Sequence, residues 1–146
     1  MHAAEWWLKV LLRSFGGVSA LAVFAFVMPR SRMGVVHEWL GMGTLPDQPI
    51  VEYLARSTSA LCALYGGLLW VLATDVRRYA RAITYQAVAL IALSTVGACF
   101  GLWAGMPAWW MLGDAVSCWA CCGAMLVLQR RIATTKEDPA ATEPGR

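Results

Sequence analysis

Charge is scarce in this chain: only 14% of its 146 residues are Asp, Glu, Lys or Arg, while 59% are hydrophobic. A soluble domain of this size and composition would have to leave far more apolar surface in water than water tolerates, so a soluble globular fold is excluded. Histidine is nearly absent. His37 stands beside Glu38 in a loop and His2 at the N-terminus, with no second histidine near either, so a zinc or haem centre has no ligand set and no metal site is expected. The chain also lacks a phosphate loop, a dinucleotide fingerprint and a nucleophile elbow, which leaves no catalytic residue to name for a soluble substrate and no cofactor to specify.

What the chain has instead is long apolar runs. A spanning helix needs roughly 20 mostly apolar residues at about 1.5 Å each, and four segments qualify: Trp6–Met28, Tyr53–Ala73, Ala82–Ala104 and Ala108–Leu128. The first is interrupted by Lys9 and Arg13, whose long side chains can snorkel to the headgroups beside the belt residues Trp6 and Trp7. Its short core, Ser14–Met28, invites comparison with a cleavable signal peptide, but Phe26-Val27-Met28-Pro29 lacks the small residues of a cleavage site. The expected fold is therefore all-α: an integral membrane four-helix bundle, residues 1–130, with one longer outer loop, 29–51, after the first helix. Within that loop, Met33–Met42 could form a short surface helix, and residues 131–146 read as a disordered cytoplasmic tail.

Basic residues set the orientation. With both termini cytoplasmic, Lys9, Arg13, Arg77, Arg78, Arg81, Arg130, Arg131, Lys136 and Arg146 face inward and only Arg30 and Arg32 outward, with Arg56 just inside a span. This is the bias of a bacterial cytoplasmic (inner) membrane protein. The net charge of +3 is accordingly a topology signal, and nucleic acid is not an expected partner.

Two small-residue rows suggest how the last two spans pack. Gly97, Gly101 and Gly105 recur every four residues in the third, and Gly113, Ser117 and Cys121 in the fourth; Met106-Pro107 is too short to permit anything but an antiparallel hairpin. The rows are expected to face each other, homodimerisation being the alternative. Gly16, Gly17, Gly66 and Gly67 offer similar contacts on the first two spans.

Ionisable residues within the bilayer carry the functional hypotheses. Arg56 and Asp114 both fall a few residues below the outer interface, at matched depth and with opposite charge; Arg56 pairs either with Asp114 or with Glu52, one turn earlier. A polar pocket around them would be lined by Glu52, Arg56, Ser59, Asp114, Cys118 and Trp109 or Trp110, with His37 and Glu38 from the loop, and would suit an amphipathic ligand such as a quinone or lipid. All five cysteines lie in spans, where they read first as small packing residues.

Two family resemblances follow from these residues. Cys118-Trp119-Ala120-Cys121 in a last span resembles the membrane dithiol of the vitamin K epoxide reductase family, which would imply a thiol oxidoreductase using Cys118 and Cys121; that family's outer-loop cysteine pair has no counterpart in 29–51. Arg56, Gly66-Gly67 and the turn Asp75-Val76-Arg77-Arg78-Tyr79 resemble the DoxX-like superfamily of small four-helix bacterial inner-membrane proteins over about residues 53–130. That resemblance implies a non-catalytic accessory or scaffold subunit, working with the bilayer and a membrane-protein partner or a second copy. Four helices offer few repeats for alternating access, so transport by a monomer is disfavoured.

Overall fold

The computed structural model describes residues 3–134, and every regular element in that range is helical: α1 (Ala3–Ala20), α2 (Ala22–Val27), α3 (Arg30–Trp39), α4 (Pro49–Leu72), α5 (Ala80–Trp103) and α6 (Ala108–Thr134). Among the described residues three helices are long and apolar enough to cross a membrane: Ala3–Val27, which joins α1 and α2, then α5 and α6. The protein is thus an all-helical membrane protein. The 24-residue α4 is long enough but falls outside that set, because Arg56 and the hydroxyl residues Ser57, Thr58 and Ser59 dilute its first half.

Helix boundaries follow local chemistry. The first apolar run breaks only at Leu21, whose N–H donates to both Gly17 O and Val18 O. It ends at Val27 because Met28 precedes Pro29 and is forced extended (ψ 134°). Helix α4 starts four residues before the expected Tyr53, since Pro49 is preorganised for a first helical position and has no N–H to orphan there. Helix α6 runs on to Thr134, so residues 131–134 are helical and not tail; the rest of the tail lies outside the described residues.

The chain divides into two compact units, 13–71 and a second made of 3–12 with 72–134. In the second, α5 and α6 form the hairpin, and its bend is a glycine-terminated helix end. Gly105 is left-handed (φ 83°), its N–H donates to Leu102 O, and the Met106 N–H donates to Gly101 O. Gly105 therefore ends α5 and is not a packing residue. Of the other row members, only Gly101 is closed off, by the Met111 side chain, while a Cβ at Gly97 or Gly113 would meet nothing within 4 Å. The two rows do not interdigitate. The stripe that α6 buries is Ala115, Cys122, Met125 and Ile132; Ile83 and Ala87 of α5 and Leu8, Leu12, Leu72, Ala73 and Val76 are the same unit's other buried apolar residues. Larger apolar side chains bury more contact area than glycines can, so they decide which face turns inward. The 73–79 turn is held by the Asp75 carboxylate, which accepts from the N–H groups of Arg77 and Arg78, and by an ion pair of Arg77 with Glu5 that holds the guanidinium still more firmly protonated.

In unit 13–71 the main seam joins α1 to α4 at glycines. Gly16 and Gly66 meet backbone to backbone: a Cβ on Gly16 would lie 2.8 Å from Gly66 O, and one on Gly66 would strike Gly16 O and sit 2.6 Å from Ala20 N. Trp70 ties the same seam by donating from Nε1 to Arg13 O at 3.1 Å. Gly17 and Gly67, the neighbours in sequence, face open space.

Candidate functional site

Four charged residues of unit 13–71, Arg30, Asp47, Glu52 and Arg56, converge where α2 ends and α4 begins. A helix end leaves its last carbonyls without intrahelical partners, and Pro29, which has no N–H, cannot serve those of α2. Arg56 does so: it donates to Phe26 O (2.6 Å) and Met28 O (3.1 Å), placing a cation at the negative end of a helix. Its remaining edge grips Glu52 Oε1 through Nε (3.0 Å) and the second terminal nitrogen (2.8 Å), the i,i+4 geometry of one helix face. Glu52 Oε2 reaches Arg30 at 3.4 Å, and Arg30 continues to Asp47 Oδ1 (2.7 Å) and Pro46 O (3.0 Å). One carboxylate therefore bridges two guanidinium groups. These hydrogen bonds, Arg56's first, hold the Glu52 carboxyl below its ordinary value of 4.5.

Of the two pairings left open for Arg56, the one within its own unit is present: Glu52 is its ionic partner there. Asp114 is exposed on α6 and, among the described residues, makes no ion pair; with Trp109, Trp110, Gly113 and Ser117 it lines an open groove of about 340 Å³. The two tryptophans stand edge to face at 5.6 Å.

Beside the charged cluster lies an open-mouthed pocket of about 210 Å³ between α2, α3, the 40–48 loop and α4. Its lining is Ala25, Met28, Met33, Val36, Leu40, Met42, Leu45, Val51 and Ala55, with three polar side chains, His37, Glu52 and Ser59. The loop reaches this position through two left-handed glycines, Gly41 (φ 73°), which ends α3 just as Gly105 ends α5, and Gly43 (φ 78°). Gly43 O then receives a hydrogen bond from His37 Nδ1 at 2.8 Å.

The predicted pocket is thus gathered only in part. Glu52, Ser59 and His37 line this cavity, and Arg56 braces it through Glu52. Glu38 is exposed and absent from the lining; Asp114 and Trp109 belong to the groove on α6. Cys118 lies in the α5–α6 seam, its sulfur 3.8 Å from Leu90 O and 4.0 Å from the Cys122 sulfur. All five cysteines are free thiols, and Cys118 contacts the cysteine one full turn on, not its motif partner Cys121. Among the described residues no cluster of His, Cys, Asp or Glu is arranged to hold a metal ion.

Sequence reasoning missed Arg30 and Asp47 as members of the cluster, and the apolar loop residues Leu40, Met42 and Leu45 as cavity walls. The available signal was Pro29: a proline directly after a helix leaves carbonyls that attract a nearby cation. The chain matches no protein-family profile, no curated protein and no solved structure.

Proposed function

We propose that this chain is a four-span protein of a bacterial cytoplasmic membrane, with both termini inside, that binds a small amphipathic molecule in the cavity between α3 and α4. The single observation that carries this reading is the cavity itself. It is almost wholly apolar, has polar groups at a few points only, and is bordered by a charged cluster that ties the end of α2 to the start of α4. That is the usual composition of a small-molecule site. The proposed fourth span is α4 from Tyr53 onward, and the distribution of Lys and Arg supports the orientation. The DoxX-like resemblance is consistent with this reading and remains part of the proposal.

The span count has a direct test. With cysteines introduced at Thr44 or Thr135, a membrane-impermeant maleimide applied to intact cells should label position 44 and leave 135 unlabelled until lysis. Labelling of both from outside would mean that α4 does not cross.

For the ligand, native mass spectrometry of gently extracted protein should find a discrete small molecule on the wild type and none on Ala55→Phe, which fills the cavity. Heterogeneous lipid alone on both would end the ligand reading. A second reading, an accessory or scaffold subunit, is favoured by one observation: Asp114, exposed on a membrane helix with no ion pair among the described residues, is costly unless a partner's cation covers it. In the same experiment Asp114→Asn would then lose a protein partner while keeping the small molecule.

A further inference from the structure

The polar side chains of the cavity are not interchangeable in what they offer a ligand. Gly43 O is a carbonyl and can only accept, so His37 Nδ1 carries the proton in their 2.8 Å bond. In the neutral imidazole Nε2 is then a bare acceptor. The Ser59 hydroxyl has already spent its proton on Ala55 O at 2.8 Å, leaving lone pairs. Glu52 is a carboxylate whose Oε2 has only the long 3.4 Å contact with Arg30. Every polar side chain lining the cavity thus presents an acceptor, and each side-chain N–H or O–H donor there is committed to backbone. The two arginines on Glu52 are not in the lining: Arg56 is taken up by Glu52 and two carbonyls, and Arg30 by Asp47 and Pro46 O beside its long contact with Glu52.

We infer that the cavity selects an apolar molecule carrying a hydroxyl donor, a phenol or a compact aliphatic alcohol, over the corresponding ether, ketone or ester. An acceptor-only ligand would set its lone pairs against those of His37, Ser59 and Glu52 and, by shutting water out of the pocket, would leave them unsatisfied. Size points to a single ring with a short chain: a cavity of about 150 Å³ holds benzene, and this one is about 210 Å³. The inference rests on the proposed ligand-binding function and adds the chemistry of the ligand.

The test compares 4-butylphenol with its methyl ether, 4-butylanisole, on the full chain in phospholipid nanodiscs, with partition into empty discs subtracted. The phenol should bind at least threefold more tightly, within the roughly three- to tenfold expected of one net hydrogen bond, and Ala55→Phe should abolish its binding. Because the chain has only two histidines, ¹⁵N-histidine spectra supply a readout without mutation: the phenol should move the Nε2 resonance of one histidine, absent from the spectrum of a His37→Gln variant, and the ether should not. A preference below threefold, with both compounds bound and both displaced by Ala55→Phe, would overturn the hydroxyl inference and leave the ligand-binding function standing. Binding of neither compound, or phenol binding that Ala55→Phe leaves intact, would overturn both.

Discussion

Gly66→Leu is expected to destroy the seam between α1 and α4, whereas Gly67→Leu, one residue away, should be nearly silent. In lipid, apolar side chains gain little from leaving the bilayer, so helix pairs depend on close van der Waals contact, which small residues permit. At Gly66 there is no room even for a methyl group, because the first atoms it would meet are backbone: Gly16 O and, at 2.6 Å, Ala20 N. Backbone cannot rotate aside as a side chain can. Overpacking ordinarily costs about 1–3 kcal/mol, and a clash with two main-chain atoms of the facing helix belongs at or above about 3 kcal/mol, with Gly16→Leu expected to behave alike. The measurement is unfolding in mixed micelles with increasing SDS, beside the yield of folded protein. Equal midpoints for Gly66→Leu and Gly67→Leu would refute the seam.

Arg56→Met is expected to be the most damaging single charge removal, lowering stability by about 2 kcal/mol from the loss of charge-assisted bonds to Phe26 O and Met28 O. Arg56→Lys should recover only part, since an ammonium cannot present the planar fork that reaches both carbonyls and the Glu52 carboxylate at once. Arg30→Met should cost less, because Arg30 meets Glu52 only at 3.4 Å, Asp47 is fully exposed, and Arg30 serves one carbonyl, Pro46 O, where Arg56 serves two. The cluster also has a pH signature. The folded-state carboxyl of Glu52 is depressed, chiefly by the hydrogen bonds from Arg56 and Arg30, so its contribution is complete above the ordinary value of 4.5 and fades as pH falls from there through the lower folded value. Acid-induced destabilisation in that window should be smaller in Glu52→Gln than in the wild type. If the two lose stability in parallel, the bridging carboxylate does not contribute in the way its geometry implies.

Much of the architecture was legible in the residues themselves. Period and length alone required helices, since a backbone in lipid must satisfy its hydrogen bonds internally. Proline and glycine then marked two of the ends: Pro29 stopped α2 and Gly105-Met106-Pro107 turned the α5–α6 hairpin, while Pro49, assigned to the outer loop, in fact opens α4. Even so, Gly105, by its spacing a packing residue, serves through its left-handed backbone to terminate a helix. The four-residue spacing of Gly97, Gly101 and Gly105 was true in sequence and irrelevant to packing, because Cys122, Met125 and Ile132 claimed the buried face.

The site divides along the same line. Arg56 and Glu52 were visible because they share a helix face four residues apart, and that relation needs no tertiary information. What only the folded chain decided was everything set by distance through space. Arg56 caps carbonyls some thirty residues upstream, Arg30 joins its cluster from the start of α3 and Asp47 from the loop, and Gly43 O fixes which nitrogen of His37 bears a proton. Sequence determines short-range facts because helical geometry repeats every 3.6 residues whatever surrounds it. It is silent on which unsatisfied carbonyl meets which cation, because that choice falls to the packing of several elements at once, and here it is the packing that made a cavity out of residues with no motif.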